Sequence, residues 1–135
     1  MLIHFKNQAH RDFFEKYDKK YGNDISRRCF FYAVGMEADL REGIEEIYNF
    51  KTNRINPNAV YYGWLTSNTL KLLRFAIDLL CGEPESAAHM LWTNSGTFEE
   101  AYHEACQYDI ATLFTNAEDA PYMIDAIKLR YYIEE

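Results

Sequence analysis

Apolar residues recur at helical spacing over most of the chain, and most clearly between Thr66 and Gly82. The apolar stripe of that segment consists of Leu70, Leu73, Ile77 and Leu80. Residues three and four positions apart share one face of an α-helix, so the pattern predicts a helix that begins near Thr66 and ends at Gly82. Further apolar residues widen the stripe, and we therefore expect this helix to lie at the centre of the core.

Weaker helical spacing predicts further helices on both sides of this segment. They are expected within residues 7–22, 24–35, 37–50, 97–108, 109–114 and 119–132. Asn7 suits the first helix as an N-cap, and Pro121 suits the first turn of the last one. Residues 51–60 have little periodicity and contain Asn-Pro-Asn, which is typical of a loop. The first five residues alternate weakly and fit a short edge strand.

Chain length and these elements together define the predicted fold class. We expect a mainly α protein, a compact single-domain bundle of about five to six helices over residues 1–135, with at most one minor pair of short strands. A chain of 135 residues has the usual size of one domain. Aromatic residues make up 16% of it, which excludes a disordered chain because such chains lack aromatic groups.

The net charge of −7 narrows the range of partners. Nonspecific binding to DNA or RNA depends on neutralising phosphates with Lys and Arg, so we do not expect it here. Three cysteines without C-x-x-C spacing favour reduced thiols and a cytoplasmic location. The most apolar segment, residues 70–81, contains Arg74 and Asp78, so no membrane span is expected.

Metal-binding and nucleotide-binding motifs are sparse. Glycine-rich phosphate loops, the G-x-S-x-G elbow and the H-E-x-x-H zinc motif do not occur. Glu99, His103 and Cys106 would share one helix face, and all three residue types can bind zinc. Zinc sites normally take closer pairs of ligands from two elements, so we predict no metal and no cofactor.

Nucleophile and base candidates are equally weak. Cys29 follows two arginines that would lower its pKa, but it also precedes an apolar run and is better explained as a small buried core residue. His4 and His10 stand in no motif and are expected at the surface. We therefore predict no catalytic residue and no enzyme activity.

The start of the helix at Trp64–Thr69 is the candidate site for a small ligand. The candidate ligand-binding residues are Tyr61, Tyr62, Trp64, Thr66, Ser67, Lys71, Arg27 and Arg28. Aromatic rings can stack on a base, while free helix N–H groups, hydroxyls and a lysine can hold a phosphate. The alternative is structural, with a hydroxyl as helix cap and the tryptophan packed against the helix. A shorter segment at residues 91–97 also places a tryptophan and small polar residues before a predicted helix, and the same two interpretations apply to it.

Arg27 and Arg28 fall in the first turn of the second predicted helix. Positive charge at that position opposes the helix dipole. Either a nearby carboxylate or an anionic ligand would explain them.

The candidate partner-binding surface is acidic and lies on the third predicted helix. Its residues are Asp39, Glu42, Glu45 and Glu46. Such a face suits a basic protein groove of the kind that holds nucleic acid.

Segments spread over most of the chain resemble a known family. They are "HFKNQAHRDFF", "RRCFFYAVGM", "GWLTSNT" with "LRFAIDLLCG", and "LFTNAEDAPYMIDAIKLRYY", in the same order. The family that they resemble carries only a domain-of-unknown-function label and occurs in phages, plasmids and integrative elements of Firmicutes. The resemblance implies a mobile-element protein in the cytoplasm of a bacterial host cell, and it brings no catalytic residues with it.

Two functions therefore stay open. The first is a small non-enzymatic binding protein of a phage or mobile element that inhibits a host protein, for example as an anti-CRISPR or similar anti-defence component. The second is a protein that sequesters a small nucleotide-like signal in a pocket at the Trp64–Thr69 helix start. The acidic, aromatic-rich composition favours the first function, and the pair of Arg27 and Arg28 favours the second.

Overall fold

The protein is described by a computed structural model for residues 3–82, 97, 99–100, 110–116 and 118–131. This part of the chain contains seven helices and one two-stranded antiparallel sheet. The elements are α1 (Gln8–Tyr21), α2 (Ile25–Val34), α3 (Ala38–Glu42), α4 (Ile44–Ile47), β1 (Tyr48–Asn49), β2 (Arg54–Ile55), α5 (Ser67–Cys81), α6 (Ile110–Leu113) and α7 (Ala120–Tyr131). The predicted class, a compact mainly α bundle with one minor strand pair, is confirmed.

The centre of the bundle is α2. It packs against α1, α5 and α7, and every residue from Cys29 to Val34 is buried. A helical segment that is apolar on all sides, as Cys29–Val34 is, has to be covered on all sides. Nine of the fifteen residues of α5 are buried, and among the described elements α5 packs mainly against α2, so the two helices together form the centre of the core.

The predicted bounds of α5 are confirmed by its caps. The Thr66 hydroxyl accepts a hydrogen bond from the Thr69 N–H at 3.1 Å, and the Thr69 hydroxyl accepts one from the Thr66 N–H at 2.8 Å. At the other end Gly82 has a left-handed backbone with φ of 82°, which glycine adopts without strain. Leu73, Ile77 and Leu80 are buried in the core, as expected from the stripe, whereas Leu70 is only partly buried.

The prediction of one helix over residues 37–50 is wrong. The chain forms α3, breaks at Gly43, forms the single turn of α4 and continues into β1. In β2, residues of the expected loop pair with β1, in the register Tyr48↔Ile55 and Asn49↔Arg54. The expected strand at the start is also wrong over residues 3–5, which are irregular.

The segment before α1 is anchored in the core by polar groups. The Lys6 ammonium lies 2.8 Å from a Glu37 carboxylate oxygen and 2.7 Å from one of Asp119, which ties this segment to the start of α7. His10 is fully buried, so the expectation that it lies at the surface is wrong. His4 is exposed.

In the described part of the chain, no helix combines the length and the apolar character that crossing a membrane requires.

Candidate functional site: an acidic groove beside Trp64

The fold joins residues from both candidate surfaces into one groove. Its volume is about 300 Å³, and it is lined by Asp39, Glu42, Gly43, Glu46 and Trp64. The carboxylates come from the predicted partner-binding face, and the indole comes from the predicted ligand site. Sequence reasoning assigned these residues to separate functions, whereas the structure places them side by side.

Apolar anchors on the opposite side of α3 and α4 turn the carboxylates outward. Leu40, Ile44 and Ile47 are buried in the core. Asp39, Glu42 and Glu46 follow at intervals of three and four residues, so they share the outer face despite the break at Gly43.

Hydrogen bonds to backbone carbonyls fix this pair of helices. The Gly43 N–H donates to the Asp39 carbonyl at 3.0 Å, which closes the end of α3. The Asn56 side-chain amide donates to the Glu46 carbonyl at 2.7 Å, which holds the end of α4 against the loop after β2. The carboxylates of the groove are therefore carried on a defined backbone.

Three contacts hold the Trp64 indole in the groove. Its Nε1–H donates to Glu46 Oε2 at 2.7 Å. The Tyr62 ring is stacked on it, with the ring centres 6.1 Å apart and the planes inclined by 12°. Its six-membered ring lies so close to Gly43 that a Cβ there would stand 2.5 Å from Cζ2 and Cη2. Gly43 is thus required by the close approach of Trp64.

The electrostatic character of the groove is negative. Asp39, Glu42, Glu45 and Glu46 are exposed, and among the described residues none of them forms an ion pair with a lysine or arginine. Arg41, the basic residue between them, donates instead to the Gly35 carbonyl at 2.7 Å. A concave surface with uncompensated carboxylates attracts a cation and repels a phosphate.

The Arg27 and Arg28 pair is held by carboxylates of the protein. Arg27 bonds to Asp24 Oδ2 at 2.6 Å, and Asp24 is also the N-cap of α2. The same guanidinium donates to the Tyr48 hydroxyl and to the Asn53 carbonyl, which ties α2 to the β1–β2 turn. Arg28 pairs with Asp18 of α1. Neither arginine lines the groove beside Trp64.

The remaining residues of the predicted ligand site are spread around the start of α5. Thr66 is the helix cap and uses its hydroxyl on Thr69, while Ser67 is the exposed first residue of α5. Lys71 donates to the Thr115 hydroxyl at 3.3 Å, next to α6. Tyr61 is 57% exposed.

Of the three nucleophile and base candidates, Cys29 and His10 are buried, whereas His4 is exposed and lies 3.0 Å from Asp125 Oδ2. Burial raises the pKa of Cys29 to about 12, against the opposing effect of Arg130 and Arg28. Burial lowers the pKa of His10 to about 4. The described residues contain no group of three His, Cys, Asp or Glu side chains placed to hold a metal ion.

Some predicted features lie outside the described residues. These are His103, Cys106 and residues 91–96 of the second tryptophan-led segment. Thr97 is described, and its hydroxyl accepts a hydrogen bond from the Glu100 N–H at 3.1 Å. This contact fits the predicted start of a helix at residue 97.

Gly43 is the groove residue that sequence reasoning did not identify. The available signal was a glycine in the interior of a helical pattern, which often marks a packing contact. Its partner Trp64 lies 21 positions further along the chain, so the spacing alone does not reveal the contact.

Comparison with known proteins places the chain in a family but adds no activity. No curated protein and no solved structure matches it. The chain belongs to the family described as Family of unknown function (DUF6075), whose sequence profile matches residues 1–135.

Proposed function

We propose that the protein acts by binding, without catalysis, and docks through its acidic face on a basic surface of another protein. The acidic face comprises Asp39, Glu42, Glu45 and Glu46. The observation that carries the proposal is the position of Trp64, which is set among these exposed carboxylates and lines the same groove.

A partly exposed tryptophan surrounded by charged residues suits a protein–protein contact. Tryptophan is enriched among the residues that contribute most to binding, because a large ring buries much area at a low entropic cost. Surrounding charges steer a partner of opposite sign and exclude partners of like sign. The overall charge of −7 acts in the same direction over a longer distance.

The burial of Cys29 and His10 argues against a catalytic role for either residue. Cys29 and His10 are both fully enclosed in the core. A nucleophile or general base has to reach its substrate within hydrogen-bonding distance. Neither residue has such access in this fold.

The resemblance to phage and mobile-element proteins supports a bacterial host protein as the partner. Proteins of host defence that hold nucleic acid have basic grooves, and an acidic face can occupy such a groove in place of the nucleic acid. In this proposal the protein inhibits its partner by occupying the groove, in the cytoplasm of the host cell.

Sequestration of a nucleotide-like signal has less support. The groove beside Trp64 is lined by carboxylates, which repel phosphate. Arg27 and Arg28, the cations expected to bind a phosphate, pair with Asp24 and Asp18.

Charge reversal with a matched control tests the proposal. Asp39, Glu42, Glu45 and Glu46 are changed to Lys in one variant. In the control, four other exposed acids, Asp12, Glu15, Glu99 and Glu118, are changed to Lys, which alters the net charge equally. Pull-down from a bacterial lysate should lose its specific partner with the first variant and retain it with the control. Equal capture by both variants would contradict docking through the acidic face.

A further inference from the structure

We infer that the groove beside Trp64 receives one arginine side chain of the partner, an inference that rests on the proposed function. The groove combines a fixed indole with the carboxylates of Asp39, Glu42 and Glu46. Its volume of about 300 Å³ is at the lower end of ligand pockets, which span roughly 300–1,000 Å³. That size suits a single side chain inserted from a protein surface.

Guanidinium is the cation that interacts favourably both with an indole ring and with carboxylates. It is planar and weakly hydrated, it stacks on aromatic rings, and it donates paired N–H groups to a carboxylate. Tryptophan is the aromatic residue that attracts a cation most strongly. A lysine ammonium is compact and strongly hydrated, and it interacts as a point charge without the planar match.

The three carboxylates of the groove have different tasks. Glu46 accepts the indole N–H of Trp64 and is therefore a positioning residue. Asp39 and Glu42 have no ion pair with a described residue and face the same groove, so they are the residues that bind the guanidinium.

The groove is organised before the ligand arrives. Trp64 is already held by Glu46, by stacking with Tyr62 and by its fit against Gly43. An ordered ring does not lose rotamer freedom on binding, which reduces the entropic cost of association.

The test uses a blocked pentapeptide, acetyl-Gly-Gly-Arg-Gly-Gly-amide, at low ionic strength. Versions with lysine and with citrulline, an uncharged analogue of arginine, are compared with it. The protein carries Trp92→Phe, so that Trp64 gives the single indole N–H signal in a ¹⁵N-correlated NMR spectrum. The arginine peptide should shift this signal saturably, and the lysine peptide should bind at least about twofold more weakly. The citrulline peptide should cause no saturable shift.

Single substitutions distinguish binding of the peptide in the groove from its attraction to the charge of the whole acidic face. Glu42→Gln and Asp39→Asn should each weaken the arginine peptide by at least about twofold. Glu45→Gln is the matched control, since Glu45 is exposed on the neighbouring helix α4 but does not line the groove. This variant should change the affinity for the arginine peptide by less than about twofold.

Gly43→Ala tests the shape of the groove at constant charge. A Cβ at this position forces the indole to move, so peptide binding should be lost. Circular dichroism establishes that the variant is folded. If it is unfolded, Trp64→Leu replaces it, with the Gly43 backbone N–H as reporter and an expected loss of about two- to fivefold.

Equal binding of the arginine and citrulline peptides, or equal weakening by Glu42→Gln and Glu45→Gln, would overturn the inference. Lysine binding as tight as arginine would also overturn it. Failure of the peptide test together with loss of the partner on charge reversal rejects the arginine groove and leaves the proposed function intact. Peptide binding together with equal partner capture by both charge-reversal variants rejects the proposed function.

Discussion

Replacing His10 with Gln should make the stability of the protein less sensitive to acid. His10 Nδ1 accepts a hydrogen bond from the Lys6 N–H at 3.1 Å, and Nε2 donates to the Tyr32 carbonyl at 2.7 Å. These partners suit the neutral ring protonated at Nε2, since a proton on Nδ1 would remove the first bond. Burial lowers the pKa of His10 to about 4; the Tyr32 carbonyl opposes this shift, and the charges of Arg41 and Lys6 reinforce it.

The sign and size of the effect follow from the two pKa values. Between pH 6.5 and about 4, the unfolded chain binds a proton at His10 and the folded chain does not. The free energy of unfolding therefore falls as the pH is lowered through this range. At about 1.4 kcal/mol for each pKa unit, the shift corresponds to a loss of about 3 kcal/mol.

Urea denaturation followed by circular dichroism at pH 7, 6, 5 and 4 measures this contribution. Gln keeps an amide donor and acceptor but does not titrate, so the gap in stability between wild type and His10→Gln should shift by about 3 kcal/mol in favour of the variant at pH 4. His4→Gln, at an exposed side chain, serves as the control for loss of a histidine that the core does not enclose. A gap that stays constant from pH 7 to pH 4 would refute the reasoning.

Three further predictions concern α5. Leu73→Ala removes a fully buried side chain and should cost about 2–5 kcal/mol in urea denaturation; a loss below about 0.5 kcal/mol would show that this face of α5 is not core. Thr66→Ala should cost about 0.5–2 kcal/mol as the true cap, while Ser67→Ala should stay within about 0.5 kcal/mol, and equal losses would contradict the assignment. Burial raises the pKa of Asp78 to about 6, against the opposing charge of Arg74, so this group adds stability as the pH falls from about 6 to 4. Asp78→Asn should remove that gain, a change opposite in sign to that of His10→Gln, and an unchanged pH dependence would count against it.

Local signals were enough to predict the bounds of α5 and the fold class. Thr66 and Gly82 are a cap and a stop whose physical roles depend on neighbours within four residues. Pro121 lies in the first turn of α7 for the same kind of local reason. Features that depend only on residues close together in the chain can be predicted from a single sequence.

The features that were not predicted depend on contacts between residues far apart in the chain. His10 is buried because its partner is the Tyr32 carbonyl, 22 positions away. Arg74 is 4% exposed, although an arginine on the polar side of an otherwise apolar helix normally points to solvent. The helical pattern breaks at Gly43, where the Trp64 ring lies against the backbone. The same contact forms part of the groove. The candidate site is therefore a property of tertiary packing, and its residues were predicted only as separate groups.

The burial of Cys29–Val34 in α2 has a consequence for synthesis of the chain. One of its three covering helices, α7, begins at Ala120, whereas α2 ends at Val34. At about 5–20 residues per second, the ribosome needs on the order of 5–20 s to make the intervening chain and α7. During that time the apolar segment Cys29–Val34 has one side without its native cover, and such exposed apolar surface makes the nascent chain prone to bind chaperones until α7 emerges.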